Sequence, residues 1–221
     1  MRNMRFLPLD AYKLSNICYN HYQTMKSLQL AKPHLLIIVG IPGSGKTAFA
    51  EYFTSVFRAP FFDPSSIARA CEATAMPDDV SDALLEQFLR SGVTCVYEAA
   101  AGTRVERKRI SQLARKHGYD VLQIWVQTDP AAAKMRATRR KRGETAAAYD
   151  EETFDAKLKK FTPPRAHEPH IVISGMHTPA SQSKAVLRRL VQSSGRAPQP
   201  INTPARPNTA QSPAPARRLV Q

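Results

Sequence analysis

Eight residues, Gly40-Ile41-Pro42-Gly43-Ser44-Gly45-Lys46-Thr47, follow directly on the apolar run Leu35-Leu36-Ile37-Ile38-Val39. They complete the pattern G-x-x-x-x-G-K-[ST] at a strand end, where a phosphate-binding loop belongs. Glycines let the backbone bend around an anion and turn successive N–H groups toward it. The helix predicted to start near Lys46 adds the positive end of its dipole. Lys46 would reach the β- and γ-phosphates of a nucleoside triphosphate, and the Thr47 hydroxyl would hold Mg²⁺. Nucleotide contact is therefore assigned to Gly40, Ile41, Pro42, Gly43, Ser44, Gly45, Lys46, Thr47 and Ala48, with ATP and Mg²⁺ as the predicted ligands. A chance glycine-rich turn would not need a buried-type strand before it and the amphipathic segment Ala48–Phe57 after it.

Moving a phosphoryl group demands more: a base or orienting group for an acceptor hydroxyl, an acid on the metal side, and positive charge over the transferred phosphate. Asp63 ends the second predicted strand, across the crevice outside the strand C-termini, and is the candidate base. It precedes Pro64, so it is equally a good helix cap. Arg69, later in that segment, could hold an acceptor phosphate or simply meet solvent. Glu98 ends the run Val93-Thr94-Cys95-Val96-Tyr97 and is the candidate metal-side carboxylate beside Thr47; a surface loop residue is the plainer alternative. Arg136, Arg139 and Arg140 are spaced to share one helical face, anchored by Ala131, Ala132 and Met135. An anion on that face would relieve their repulsion through charge-assisted contacts. Arg136 and Arg140 are taken as catalytic and Arg139 as a nucleotide contact. A solvated basic helix would explain Lys134, Lys141 and Arg142 as well.

The elements that must position these groups alternate. A helix is predicted over residues 9–30 from the stripe Leu14, Cys18, Tyr22, Met25 and Leu28. Strands follow at residues 35–39, Ala59–Phe62, Val93–Tyr97, Tyr119–Val126 and His170–Ser174. Between them come helices at Ala48–Phe57, after Asp63-Pro64, at Asp78–Arg90 with Val80, Leu84 and Phe88 on one face, and at Val105–His117, which Gly118 stops. Asp129-Pro130 opens a helix carrying the basic cluster to Arg142, where Gly143 ends it. Helices at Asp150–Phe161 and Ser181–Val191 complete the order. Continuous apolar strands separated by helices predict an α/β three-layer sandwich on a five-stranded, mostly parallel sheet. Residues 1–32 form a helical extension, 33–194 the nucleotide-binding domain with its Arg-bearing lid helix, and 195–221 a basic Pro-rich tail. Pro198, Pro200, Pro204, Pro207, Pro213 and Pro215 predict that the tail is disordered.

The chain has 221 residues, enough for one sizeable core, and a formal net charge of +14. From Pro169 to Gln221 there is no acid, while Lys184, Arg188, Arg189, Arg196, Arg206, Arg217 and Arg218 contribute seven positive charges. Residues 11–50 are also free of acids. Such a surface attracts polyanions, so nucleic acid is a candidate partner through the basic surface and tail. No apolar run is long enough to span a bilayer, and none has the length of a signal-peptide core. A cytoplasmic protein without membrane contact is expected. Three scattered cysteines, Cys18, Cys71 and Cys95, suit reduced thiols rather than a disulfide or zinc framework. Composition leaves the oligomeric state open.

The absence of an [NT]-K-x-D segment argues against a GTPase, and the core is small for a motor ATPase. The succession of the Gly40–Thr47 loop, Asp63, Glu98, Arg104 and Arg107, then Met135-Arg136-Ala137-Thr138-Arg139-Arg140-Lys141-Arg142-Gly143, resembles the kinase domain of phage-type polynucleotide 5′-hydroxyl kinases. It is also similar to their small ATP-binding, AAA-type relatives, among them seryl-tRNA kinases and zeta-toxin-like kinases. The likeness spans roughly residues 34–175. It implies a P-loop NTPase fold, Asp63 as general base and Arg136 as the lid residue on phosphate. Glu98 stands where polynucleotide kinases usually have Asp, and Arg69 lies farther from Asp63 than their corresponding arginine. The stretch 161–168 resembles the segment before the last strand in these relatives, with no chemistry assigned. The implied activity is ATP-dependent phosphoryl transfer to a hydroxyl, with a nucleic-acid 5′-OH as candidate acceptor. A small-molecule or nucleotide kinase, and a non-catalytic ATP-binding switch associating with nucleic acid, are the alternatives.

Overall fold

The computed structural model describes residues 28, 30–73, 75–98, 102–139 and 149–193. The helix expected across residues 9–30 falls outside them apart from Leu28 and Leu30, neither of which is helical, and Arg140, the basic run to Gly143 and the tail also lie outside. The described elements are β1 (His34–Val39), α1 (Lys46–Phe57), β2 (Phe61–Phe62), α2 (Pro64–Ala70), α3 (Asp78–Arg90), β3 (Cys95–Glu98), α4 (Arg104–Lys116), β4 (Asp120–Gln127), α5 (Pro130–Thr138), α6 (Glu151–Lys160), β5 (His170–Ser174) and α7 (Pro179–Ser193). The five strands are all parallel, in the order β2-β3-β1-β4-β5. The chain moves to one side of β1 for β2 and β3 and to the other for β4 and β5, so strand order reverses beside β1. Ligand crevices open at that switch point, outside the strand C-termini.

Alternation along β1 divides the interior into two layers. Leu36 and Ile38 join Phe49, Phe53 and Phe57 of α1, Val96, Ile124, and Val186 and Leu190 of α7 on one face. Leu35, Ile37 and Val39 pack on the other with Leu85 and Leu89 of α3, Ile110 and Ala114 of α4, Tyr97 and Tyr119. Every residue of β1 is buried, as the uninterrupted apolar run implied. The same alternation sends Glu98, two residues beyond Val96, toward α1. A smaller third cluster, Ile41 with Ala133, Ala137 and Phe154, fixes the loop after β1 against α5 and α6.

Two helix faces differ from the sequence expectation. In α3 the buried stripe is Ser81, Leu85 and Leu89, whereas Val80 is exposed. Leu84 and Phe88 flank the core, and the Phe88 ring stacks on Phe62 with centroids 5.2 Å apart. The helix turns by one residue because an aromatic partner on the short edge strand takes Phe88 out of the central layer. In α5 the anchors are Ala133 and Ala137, not Ala131, Ala132 and Met135; Ala131 and Met135 are exposed and Ala132 is half-buried. Close approach of the glycine loop to this helix admits only methyl-sized side chains there.

The stretch 161–168 has a structural task. Arg107 is fully buried; its Nε donates to Glu168 Oε2 at 2.9 Å and its Nη2 to Oε1 at 3.1 Å, while Nη1 donates to the Thr162 carbonyl at 2.7 Å. Gln123 Nε2 on β4 donates to the same carboxylate at 3.1 Å. Arg107, part of the kinase resemblance, is therefore committed to the domain interior.

Candidate functional site

The loop between β1 and α1 has the shape an anion cradle needs. Gly43 has φ 74° and Gly45 φ 99°, both in the left-handed region that favours glycine. A methyl group on Gly43 would come within 2.1 Å of the Ala133 carbonyl oxygen, so α5 leaves no room for any side chain. Gly45 occupies the N-cap of α1 without a side-chain hydrogen bond to the helix, and the first turn carries no acid. The amides of that turn are thus left for an external acceptor, at the positive end of the helix dipole. Lys46 lies over the loop, its Nζ donating to the Ile41 carbonyl at 3.0 Å.

Glu98 reaches this helix from the neighbouring strand. Thr47 Oγ1 donates to Glu98 Oε1 at 2.9 Å. Glu98 is buried, and its Oε2 has no hydrogen-bond partner among the described residues. Burial pushes its carboxyl up; Lys46 and the Thr47 hydroxyl oppose this, and Asp63 and Glu51 add to it. A buried carboxylate oxygen without a partner beside a hydroxyl suits a hard cation such as Mg²⁺. That ion takes few protein oxygens and completes its shell with water and phosphate. No cluster of three or more His, Cys, Asp or Glu occurs among the described residues, so a cage made wholly of protein is not on offer there. Exchanging Glu98 for Gln should leave metal-free ATP affinity nearly intact while raising the Mg²⁺ concentration needed for half-maximal nucleotide binding about tenfold. A titration of Mg²⁺ against a fluorescent ATP analogue measures it.

Asp63 serves as the N-cap of α2: Oδ1 accepts from the Ser65 amide at 2.9 Å and Oδ2 from the Ser66 hydroxyl. Arg69 Nη2 donates to Ser66 Oγ at 2.8 Å, one link further along. Both expected roles of Asp63 are compatible with its position, since it also lines the cleft. That cleft, of about 610 Å³, is bordered by the loop from Gly40 to Gly43, Gly45, Lys46, Thr47, Asp63, Arg69 and Glu98. It continues past Asp78, Ser81, Tyr97, Thr103 and Glu106 to Lys157 and Lys160.

The basic helix is arranged differently from its expected form. Helix α5 ends at Thr138 with Arg139 as its C-cap, the Arg139 amide donating to the Met135 carbonyl at 3.2 Å, so the helix is shorter than the run to Arg142 that the sequence suggested. Arg136 Nη1 donates to the Gly175 carbonyl at 3.2 Å, in the turn after β5. Gly175 is itself pressed against the phosphate loop: a methyl group there would stand 2.2 Å from the Ser44 carbonyl oxygen. Arg136 is thereby held beside the loop. Lys134, read as a solvated charge, bridges Glu151 at 2.9 Å and Asp155 at 3.1 Å and so ties α5 to α6. Sequence reading missed Lys157 and Lys160. Their spacing of three on an amphipathic helix was the available signal, hidden by Lys159 between them and by the attention that the neighbouring arginine cluster draws.

A family model described as an AAA domain matches residues 35–164. A search of curated protein sequences finds no match. Among solved structures, a gluconokinase from Sinorhizobium meliloti 1021 superposes with TM-score 0.55 at 18% identity, over 73% of this chain and 94% of that one. Kti12 of Chaetomium thermophilum, in complex with ADP-AlF3, gives 0.52 at 14% identity, over 72% and 97%. The APS kinase of Mycobacterium tuberculosis, in complex with AMPPNP and APS, gives 0.51 at 13% identity, over 72% and 98%. At such identities these likenesses establish the α/β P-loop NTPase fold. Among the described residues no helix is long and apolar enough to cross a membrane.

Proposed function

The chain belongs to the AAA-domain family matched above, and from that premise we propose that it is an ATP-dependent phosphotransferase acting on a hydroxyl acceptor. One observation supports the reading above the rest: Lys46 and Thr47 of α1, Asp63 before α2 and Glu98 of β3, from three separate segments, border a single cleft. Lys46 and the α1 amides hold the β- and γ-phosphates. Thr47 and Glu98 would hold Mg²⁺, which when bound neutralises charge shared by those phosphates. Asp63 accepts the proton of the acceptor hydroxyl as its oxygen forms a bond to the γ-phosphorus; the bond from that phosphorus to the bridging oxygen breaks, and ADP leaves. Arg136, with Arg139 and Arg140 in the segment after it, supplies positive charge from the lid side.

The experiment is transfer of label from γ-labelled ATP to a panel of 5′-hydroxyl oligonucleotides, tRNA, nucleotides and small polyols. The basic composition puts the nucleic-acid 5′-hydroxyl first among them. Label in none of these acceptors, with ATP bound, would turn the reading to a non-catalytic ATP switch. That second reading has one observation in its favour: both Asp63 oxygens are already engaged by Ser65 and Ser66, as a cap alone requires.

A further inference from the structure

We propose that the cleft is built for an acceptor bearing an anionic group, a phosphate or carboxylate, held by Lys157 and Lys160 of α6, with Arg69 on the wall that carries Asp63. The proposal rests on the phosphotransferase reading and names the kind of acceptor it requires. Four cationic side chains border the cleft, Lys46, Arg69, Lys157 and Lys160, and four acids, Asp63, Asp78, Glu98 and Glu106. Most of the acids are already taken up. Glu106 Oε2 accepts from the Thr103 amide at 3.0 Å and from the Thr103 hydroxyl at 2.9 Å. Asp78 lies 3.5 Å from Arg109, outside the cleft, and Glu98 accepts from Thr47. Lys46 belongs to the triphosphate. Lys157 and Lys160 remain on the opposite wall from Asp63.

The two lysines differ from the rest of their helix. Glu151 and Asp155, toward its start, turn to Lys134 on α5. Lys157 and Lys160 form no ion pair among the described residues, and both border the cleft while Lys159 between them does not. Favourable placement near a helix C-terminus would account for basic residues there but not for this choice of side. Their position is also fixed. Lys157 Nζ stands 5.6 Å from the centroid of the Tyr149 ring. Just beyond Lys160, the Thr162 amide donates to the Gly102 carbonyl at 2.7 Å, which fastens the end of α6 to the loop before α4. Lys160 is thus tied to the β3–α4 side of the cleft, away from the α1 amides that take the nucleotide. Lys157 and Lys160, with no acid partner among the described residues, attract an anion, and its charge-assisted contacts would orient the hydroxyl toward Asp63.

The test uses the full chain saturated with Mg²⁺ and AMPPNP, titrated calorimetrically with inorganic phosphate, gluconate, a 5′-hydroxyl trinucleotide and, as the uncharged control, sorbitol. Saturable uptake of at least one anion, none of sorbitol, and a loss of about tenfold or more in anion affinity for the K157Q/K160Q double variant are expected. AMPPNP affinity should not change, and both side chains are exposed, so the variant should fold. Which anion binds best separates phosphate, carboxylate and nucleic-acid sources. No anion uptake, equal uptake of sorbitol, or anion affinity unchanged in the double variant would overturn the proposal. An equal loss in AMPPNP affinity would overturn it too, by assigning the lysines to the nucleotide. Failure of AMPPNP itself to bind would instead remove the phosphotransferase reading, and this one with it.

Discussion

Exchanging Asp63 for Asn should leave ATP affinity within about twofold of the wild type and the fold intact, yet lower phosphoryl transfer by about 10²–10⁴-fold. The two functions of this side chain separate in that substitution. As a cap, Asp63 offers oxygens to the Ser65 amide and the Ser66 hydroxyl. Asn ranks beside Asp at this position, because its carbonyl oxygen can still accept from the helix amide. As a base, Asn has no carboxylate to take a proton. Alanine at the same site would remove both roles and destabilise α2 by about 1 kcal/mol. Single-turnover transfer from labelled ATP, measured beside thermal melting of both variants, keeps the two effects apart. Transfer by the Asn variant at the wild-type rate would reduce Asp63 to a cap. The non-catalytic reading would then gain only if the wild type also transferred nothing.

The parts of the site legible in the sequence are those in which local chemistry dictates conformation. A phosphate loop needs its glycines at fixed positions, and Gly43 and Gly45 occupy the backbone conformations that the motif implies. Asp63-Pro64 announced a helix start that α2 makes, and Asp129-Pro130 did the same for α5. The parallel sheet followed from strands without polar alternation. What local pattern could not show was which side of a helix faces which neighbour. Ser81, Leu85 and Leu89 rather than Val80 line the interior because Phe88 finds Phe62 on another strand. Lys157 and Lys160 reach the cleft because Phe154 of the same helix packs under Ile41 of the phosphate loop, a contact between residues more than a hundred positions apart. A sequence stripe gives the period of such a helix and leaves its rotation to tertiary packing. The same limit applies to Arg107. It entered the sequence reading only as part of the kinase resemblance, with no role assigned, and its partner Glu168 lies on a segment that had no assigned task either.

Removing Arg107 gives the other large effect. Arg107→Ala should destabilise the domain by about 3–5 kcal/mol, because it leaves the Glu168 carboxylate without its main partner and opens a cavity in the position of a fully buried side chain. Burial alone would raise the Glu168 carboxyl, but donors from the Arg107 guanidinium, the Arg165 amide and Gln123 outweigh it and hold the group at about 2. A carboxylate held below its unfolded value of 4.5 contributes stability that is complete above pH 4.5 and is lost as pH falls toward 2. The contribution is about 3 kcal/mol from the size of the displacement. Urea unfolding midpoints should therefore fall more steeply for the wild type than for Glu168→Gln between pH 5 and pH 3, while Glu168→Gln is the less stable of the two at pH 7. Parallel slopes for both proteins would show that Glu168 does not keep its charge through this interval. Because the guanidinium also binds the Thr162 carbonyl, and the Thr162 amide holds Gly102 beside the cleft, the damage should not stop at stability. Arg107→Ala, examined below its melting temperature, should also weaken anion uptake at Lys160, a residue that Arg107 never touches, by loosening the segment that fixes the end of α6.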